Sequence, residues 1–194
     1  MVSVVLFHHV MGLTDGVRRF AGELESDGVA VHAPDLYGGE VASSLEEGFS
    51  ITKRIGEETL ARRVEDVLAE IPQDLVYAGM SSGVMTAQKL AQTRPGALGA
   101  LLYEACVPIT GDWAFGPWPE GVPVQVHGMD DDEFFAHEGD IDAARELVGA
   151  VEHGELFTYP GDSHLFLDSS LPSFDLQATE LALERSRAFL DRLR

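Results

Sequence analysis

LVYAGMSSGVMTA, residues 75–87, has the pattern of a short apolar strand, a sharp turn and the start of an amphipathic helix. Gly79, Ser81 and Gly83 give the turn the form G-x-S-x-G, with the serine at its apex. Small residues are needed on either side because the strand and helix backbones pass close together there. The amides at the start of such a helix favour a developing negative charge. The pattern predicts a nucleophilic serine, with an ordinary glycine-rich turn as the alternative.

Strands and helices alternate along the whole chain. Apolar runs of strand length begin near residues 2, 29, 75, 97, 123 and 156, and helical periodicity lies between most of them. This alternation predicts a single α/β domain over residues 1–194, with a mostly parallel sheet of about six strands and helices on both faces. Residues 40–56 are polar and only weakly periodic, so we expect them to form a mobile surface segment.

The candidate partners of Ser81 also follow strands. Three aspartates, residues 130–132, come shortly after the strand predicted over 123–127, and His164 follows the strand predicted over 156–159. In a parallel sheet these loops meet at the carboxyl ends of the strands, where ligands bind. A neutral histidine can take the proton of a serine hydroxyl, and a carboxylate behind the ring orients that histidine. The chain order Ser, Asp, His is the order that G-x-S-x-G hydrolases use.

The composition restricts the classes of partner and the compartment. The 33 acidic and 13 basic residues give a formal charge of −20, which argues against nucleic acid or an anionic membrane as a partner. The one cysteine, Cys106, excludes an intrachain disulfide and suits a reducing compartment. Because no secretory signal and no apolar run of about 20 residues is visible, we expect a cytoplasmic protein that does not cross a membrane.

Four segments give the chain a resemblance to a known family. They are FHHVMGLTDGVRRFAGELESDGVAVHAPDLYGG (7–39), GMSSG (79–83), HGMDDDEFF (127–135) and YPGDSHLFLD (159–168). Together these segments resemble the dienelactone hydrolase family of α/β-hydrolases, and the resemblance covers nearly the whole chain. The resemblance implies a three-layer α/β-hydrolase fold without a separate lid domain. It also implies hydrolysis of an ester or lactone through a covalent acyl-enzyme.

The resemblance assigns catalytic roles to individual side chains. The nucleophile falls on Ser81 and the base on His164. The acid falls on Asp132 if the D-x-F-[VF] run of the family is matched. It falls on Asp131 if three residues are counted from the loop glycine, so both aspartates remain candidates, with Asp132 preferred.

Two backbone amides are expected to form the oxyanion hole. One is the amide of Ser82, just after the nucleophile, and the other is that of Val10, in the loop after the first strand. The best-known dienelactone hydrolases have cysteine where this chain has Ser81, and glutamate where it has His9. These differences point to a broader carboxylesterase-like activity, with His9 expected near the substrate.

The remaining candidates lie near predicted strand ends. Trp113 and Trp118 occupy a loop rich in proline and glycine, and we expect them either to line an apolar substrate pocket or to cover the core. Cys106 is expected to be a small, partly buried apolar residue. Glu104 is expected to make an ordinary polar loop contact, with the orientation of a substrate or water as the alternative. No spacing typical of metal ligands occurs, so neither a metal nor another cofactor is predicted.

These features predict a serine hydrolase that cleaves a small ester or lactone, as a monomer or homodimer. The alternative is an α/β-hydrolase-fold protein that binds a small molecule or a protein partner without catalysis, because fold alone does not decide function. A flavodoxin-like nucleotide binder has less support, since the chain lacks a phosphate-cradling motif.

Overall fold

One parallel sheet runs through the centre of the molecule. The computed structural model describes residues 1–194 and contains six strands: β1 (Val2–Phe7), β2 (Val29–His32), β3 (Leu75–Met80), β4 (Ala97–Tyr103), β5 (Val124–Met129) and β6 (Gly154–Tyr159). The strand order is β2-β1-β3-β4-β5-β6, and every neighbouring pair is parallel. The chain first moves outward from β1 to β2 and then adds strands on the other side of β1. The loops after β1 and β3 therefore flank the point at which the winding direction changes, where such sheets bind ligands.

Six helices cover the two faces of the sheet. They are α1 (Asp15–Leu24), α2 (Leu45–Ile55), α3 (Glu57–Glu70), α4 (Gly83–Thr93), α5 (Asp140–Ala150) and α6 (Leu176–Arg192). The apolar faces of α1 and α6, including Phe20 and Phe189, pack on one side of the sheet. Those of α3, α4 and α5, including Leu68 and Leu147, pack on the other side. None of the helices combines the length and the apolar composition that a membrane crossing requires.

Three of the four inner strands, β1, β3 and β5, are buried along their whole length. Every residue of β1, β3 and β5 is buried, as expected for parallel strands covered by helices on both faces. The helix that follows β1 begins at an N-cap, where the Thr14 hydroxyl accepts a hydrogen bond from the Val17 amide at 3.1 Å. These features confirm the predicted α/β sheet and the predicted number of strands.

Helix α2 corrects the expectation that residues 40–56 form a mobile surface segment. Ser44 caps this helix and accepts a hydrogen bond from the Glu47 amide at 3.2 Å, while the Glu47 carboxylate accepts one from the Ser43 amide at 2.7 Å. This arrangement is close to the S-x-x-E capping box, a signal that is present in the sequence at residues 44–47. Ile51 and Gly48 on the inner side of the helix are buried. The hydrophobic periodicity of this segment is weak because only two residues of α2 are buried.

Candidate active site

The turn between β3 and α4 presents Ser81 in a strained conformation. Its φ angle is +46°, in the left-handed region that L residues other than glycine rarely adopt. A Cβ atom on Gly79 would lie 2.5 Å from the carbonyl carbon of Gly83. A Cβ atom on Gly83 would lie 2.3 Å from the carbonyl oxygen of Phe7 at the end of β1. Both glycines are therefore required by close backbone approach, as the G-x-S-x-G pattern predicts.

Ser81, His164 and Asp132 form a continuous chain of hydrogen bonds. The Ser81 Oγ lies 2.8 Å from His164 Nε2, and His164 Nδ1 lies 2.7 Å from Asp132 Oδ2. Because a carboxylate can only accept, Nδ1 donates to Asp132, which leaves Nε2 free to accept from the serine hydroxyl. The Asp132 side chain is fully buried and that of His164 is 13% exposed, so the chain runs from the interior to the surface.

Of the adjacent aspartates, only Asp132 contacts the imidazole of His164. Its second oxygen accepts a hydrogen bond from the Phe134 amide at 2.9 Å, which fixes the carboxylate in the loop. The Asp131 side chain is 73% exposed and pairs with the exposed His137 instead. Adjacent residues in this turn thus point in opposite directions, and the geometry favours the D-x-F-[VF] match over counting from the loop glycine.

The surroundings of His164 favour its protonated form. Burial alone would lower the pKa of the imidazole, but the hydrogen bond to Asp132 and the charges of Glu104, Asp132 and Asp140 together outweigh burial and raise it. Such a histidine is a stronger base, and its imidazolium is stabilised once it has accepted a proton.

The two predicted oxyanion amides have no acceptor within the protein. Neither the Val10 amide nor the Ser82 amide donates a backbone or side-chain hydrogen bond, although Val10 is 3% exposed. Helix α2 packs directly on the back of this loop, where a Cβ atom on Gly48 would lie 2.5 Å from the Val10 carbonyl oxygen. Unpaired amides at the switch point, beside the start of α4, are suited to an anionic oxygen.

His9 lies in a buried network rather than on a surface open to substrate. Its Nε2 donates to Asp168 Oδ2 at 2.9 Å, and neither side chain has any exposed area. Asp168 also accepts hydrogen bonds from the hydroxyl of Thr14 at 2.6 Å and from that of Ser170 at 2.6 Å. Burial would raise the pKa of Asp168, but these hydrogen bonds lower it to about 2. We therefore replace the expected substrate contact of His9 with a structural role, because its ring is enclosed.

The two tryptophans lie in the loop between β4 and β5, part of which contacts α4. Trp118 packs against the core, and its indole N–H donates to the Val122 carbonyl at 2.7 Å. The side chain of Trp113 is 81% exposed. Gln88 on α4 connects to this loop through two hydrogen bonds with Val107, at 2.7 and 2.9 Å. Trp118 therefore packs on the core, which was one of the two expected roles, while Trp113 is mostly exposed to solvent.

Two acidic residues near the site differ from what the sequence suggested. Asp168 carried no recognised signal, although it ends the YPGDSHLFLD segment and lies four residues after His164. Glu104 is 1% exposed, and neither of its carboxylate oxygens has a hydrogen-bond partner, so it does not make the ordinary polar contact that was expected.

Cys106 is buried, as expected for a small apolar residue. No group of three or more histidine, cysteine or acidic side chains is arranged to bind a metal ion.

Several solved structures share the fold over nearly the whole chain. One is a dienelactone hydrolase-like promiscuous phosphotriesterase, P91, from metagenomic libraries, with a TM-score of 0.75 and 18% identity over 100% of this chain and 87% of that chain. Another is esterase 2 of Thermogutta terrifontis, phosphoramylated by tabun, with a TM-score of 0.65 and 18% identity over 99% of this chain and 83% of that one. A third is the esterase domain of a Rhodothermus marinus protein, with a TM-score of 0.61 and 15% identity over 98% and 86%.

Family membership is shown by the sequence itself. No curated protein sequence matches the chain significantly. The model of the dienelactone hydrolase family, however, matches residues 1–193. That match supports a hydrolase, while the structural neighbours show the shared fold. Since the match spans all but the last residue, the chain belongs to the dienelactone hydrolase family.

Proposed function

We propose that the protein is a serine hydrolase that cleaves a small ester or lactone. The observation that supports this most directly is the pair of hydrogen bonds from Ser81 to His164 and from His164 to Asp132, at 2.8 and 2.7 Å. The Ser81 hydroxyl attacks the substrate carbonyl while His164 Nε2 takes its proton. Asp132 keeps the ring in the tautomer that this requires and stabilises the imidazolium that forms.

The negative charge of the tetrahedral intermediate falls on the former carbonyl oxygen. The amides of Val10 and Ser82 are the donors that we assign to it, because neither has another acceptor in the protein. Each donor of this kind is typically worth about 3 kcal/mol of transition-state stabilisation. His164 then returns its proton to the leaving alkoxide as the carbon–oxygen bond breaks, and an acyl group remains on Ser81.

Water completes the turnover by the same steps. His164 takes a proton from the water as it attacks the acyl carbonyl, and gives that proton to Ser81 as the ester bond to the enzyme breaks. The products are a carboxylic acid and an alcohol, or a hydroxy acid from a lactone. No cofactor takes part in these steps.

Two of the structural neighbours suggest a suitable probe. One is described as a phosphotriesterase and another as an esterase phosphoramylated by tabun, so both are described as reacting with phosphorus centres. An activated serine in this chain should likewise react with a fluorophosphonate. This probe tests the nucleophile without requiring that the natural substrate be known.

The first experiment is fluorophosphonate labelling followed by peptide mass spectrometry. We expect one adduct, on Ser81, that is lost in Ser81→Ala and strongly slowed in His164→Ala. The matched control is Ser82→Ala, which removes the neighbouring hydroxyl but keeps its backbone amide, and which should still be labelled. A panel of esters and lactones would then identify the substrate class. If the folded protein forms no adduct and cleaves no member of the panel, the hydrolase proposal is wrong, and the non-catalytic binding alternative stands.

A further inference from the structure

Glu104 lies directly beside the candidate nucleophile at the end of β4. Its φ angle of +64° places it in the left-handed region, and its amide donates to the His127 carbonyl at 2.6 Å. The preceding residue, Tyr103, accepts a hydrogen bond from the Ser81 amide at 2.8 Å. Both polar groups of the peptide unit that precedes Glu104 are therefore anchored, and the side chain that follows is enclosed in the protein.

The carboxyl group of Glu104 is buried, and no donor lies in good hydrogen-bond geometry with either of its oxygens. The residue is 1% exposed, and both side-chain oxygens lack a partner. Two backbone amides of the segment after His164, those of Phe166 and Leu167, lie close to this carboxyl and also donate to no other acceptor. An unpaired buried carboxyl is costly, so its presence calls for an explanation other than stability.

We propose that Glu104 is a second acid of the candidate active site, a positioning residue that acts through His164. Its carboxylate would share with Asp132 the stabilisation of the His164 imidazolium. It would also orient the segment that carries His164, through the amides of Phe166 and Leu167. This inference rests on the proposed hydrolase function, because the imidazolium forms only during that reaction cycle.

The charged groups around Glu104 determine when it is ionised. Burial raises the pKa of Glu104 to about 7, with a further increase from Asp132, while His164 and the amides of Phe166 and Leu167 oppose this increase. Asp140, at the start of α5, is a third acidic group whose charge raises the pKa of His164. The carboxyl of Glu104 therefore changes charge near pH 7, and its charged form raises the pKa of His164. Each group favours the charged form of the other, so the two titrations are coupled.

The test compares the wild type with Glu104→Gln, in which the charge is lost but the size and one acceptor oxygen are kept. The matched control is Glu133→Gln, an exposed acid in the loop of Asp132. Without the Glu104 charge the pKa of His164 falls, so the acidic limb of the kcat/KM profile should move to lower pH. The plateau of kcat above about pH 8 should fall by roughly fivefold to tenfold, with KM little changed. A shift of about one unit in the pKa of His164 corresponds to a tenfold change in the stability of its imidazolium, and the loss of the Glu104 charge should cause slightly less than that.

A second readout needs no substrate and separates this inference from the proposed function. NMR titration of the His164 imidazole should show a lower pKa in Glu104→Gln than in the wild type and in Glu133→Gln. If Glu104→Gln does not fold, the carboxyl carbon of Glu104 in the labelled wild type should titrate together with the ring of His164. An unchanged His164 titration and an unchanged pH profile in a folded Glu104→Gln would overturn the inference. A folded wild type that neither reacts with the fluorophosphonate nor cleaves any ester or lactone of the panel would instead refute the proposed function.

Discussion

His9 Nε2 lies 2.9 Å from Asp168 Oδ2, with both side chains completely enclosed, and this contact joins two loops that are 159 residues apart. His9 precedes Val10, whose amide we assign to the oxyanion hole, and Asp168 lies four residues after His164. The contact therefore fixes the relative position of the proposed oxyanion donor and the proposed base. Thr14, the N-cap of α1, bonds to the same carboxylate.

We expect Asp168→Asn to lower both stability and turnover. The hydrogen bonds to Asp168 lower its pKa from 3.8 to about 2, so its ionised form stabilises the folded protein. This contribution, about 2 kcal/mol, is fully present above pH 4 and disappears as the pH falls toward 2. Denaturant unfolding near pH 7 measures the loss, and kcat should fall with it because the loops of Val10 and His164 shift.

The matched control for that change is Asp162→Asn, in an exposed position of the same segment. It should leave the free energy of unfolding within about 0.5 kcal/mol of the wild type, as is usual for surface substitutions. Equal stability of Asp168→Asn and Asp162→Asn would show that the His9–Asp168 contact does not connect the two loops energetically.

Substitution of the adjacent aspartates should separate the acid of the site from a surface charge. Asp132→Asn leaves a side chain of the same shape but promotes the wrong tautomer of His164, so kcat should fall on the order of 10³- to 10⁴-fold. Asp131→Asn removes only an exposed pairing with His137, and kcat should stay within about twofold of the wild type. The measurement is kcat for ester hydrolysis, supplemented by the rate of fluorophosphonate labelling of Ser81. A larger loss in Asp131→Asn would reverse the assignment.

Two helical glycines provide a test of how α2 supports the oxyanion loop. In Gly48→Ala the new methyl group would lie 2.5 Å from the Val10 carbonyl oxygen, which is backbone and cannot simply rotate away. We expect a loss of about 1–3 kcal/mol in the free energy of unfolding, and a lower kcat as Val10 is displaced.

Gly22→Ala, on the exposed side of α1, is the control for the change in helix propensity. A Cβ atom there meets nothing within 4 Å, so the substitution should stabilise the protein by about 0.5–1 kcal/mol without changing kcat. If the two variants behave alike, α2 does not constrain Val10, and the close approach at Gly48 has no functional consequence.

The sequence predicts the parts of the site that depend on strand ends. Ser81 and His164 could be found because each directly follows an apolar run, and parallel strands bring such positions to one edge. The choice between Asp131 and Asp132 depends on side-chain direction within a turn, which spacing does not encode. The contact of His9 with Asp168 joins residues too distant in sequence for any periodicity to reveal. The enclosure of Glu104 depends equally on how the His164 segment folds over β4.

The last prediction concerns the cost of burying Glu104. Because the pKa of this carboxyl is raised from 4.5 to about 7 in the folded protein, the unfolded chain loses its proton first as the pH rises. Increasing pH therefore destabilises the folded wild type. Its free energy of unfolding decreases between about pH 4.5 and pH 7, by on the order of 3 kcal/mol.

Glu104→Gln cannot ionise and should lack this loss. The wild type and the variant should have similar melting temperatures near pH 4.5, and above about pH 7.5 the variant should melt higher by roughly 10 °C. The measurement is differential scanning calorimetry across this pH range, with the exposed Glu133→Gln as a control that should follow the wild type. A constant difference between the wild type and Glu104→Gln at every pH would mean that Glu104 does not titrate with a raised pKa. A stabilised variant with a reduced kcat would instead indicate that the enzyme retains a destabilising carboxylate for its effect on His164.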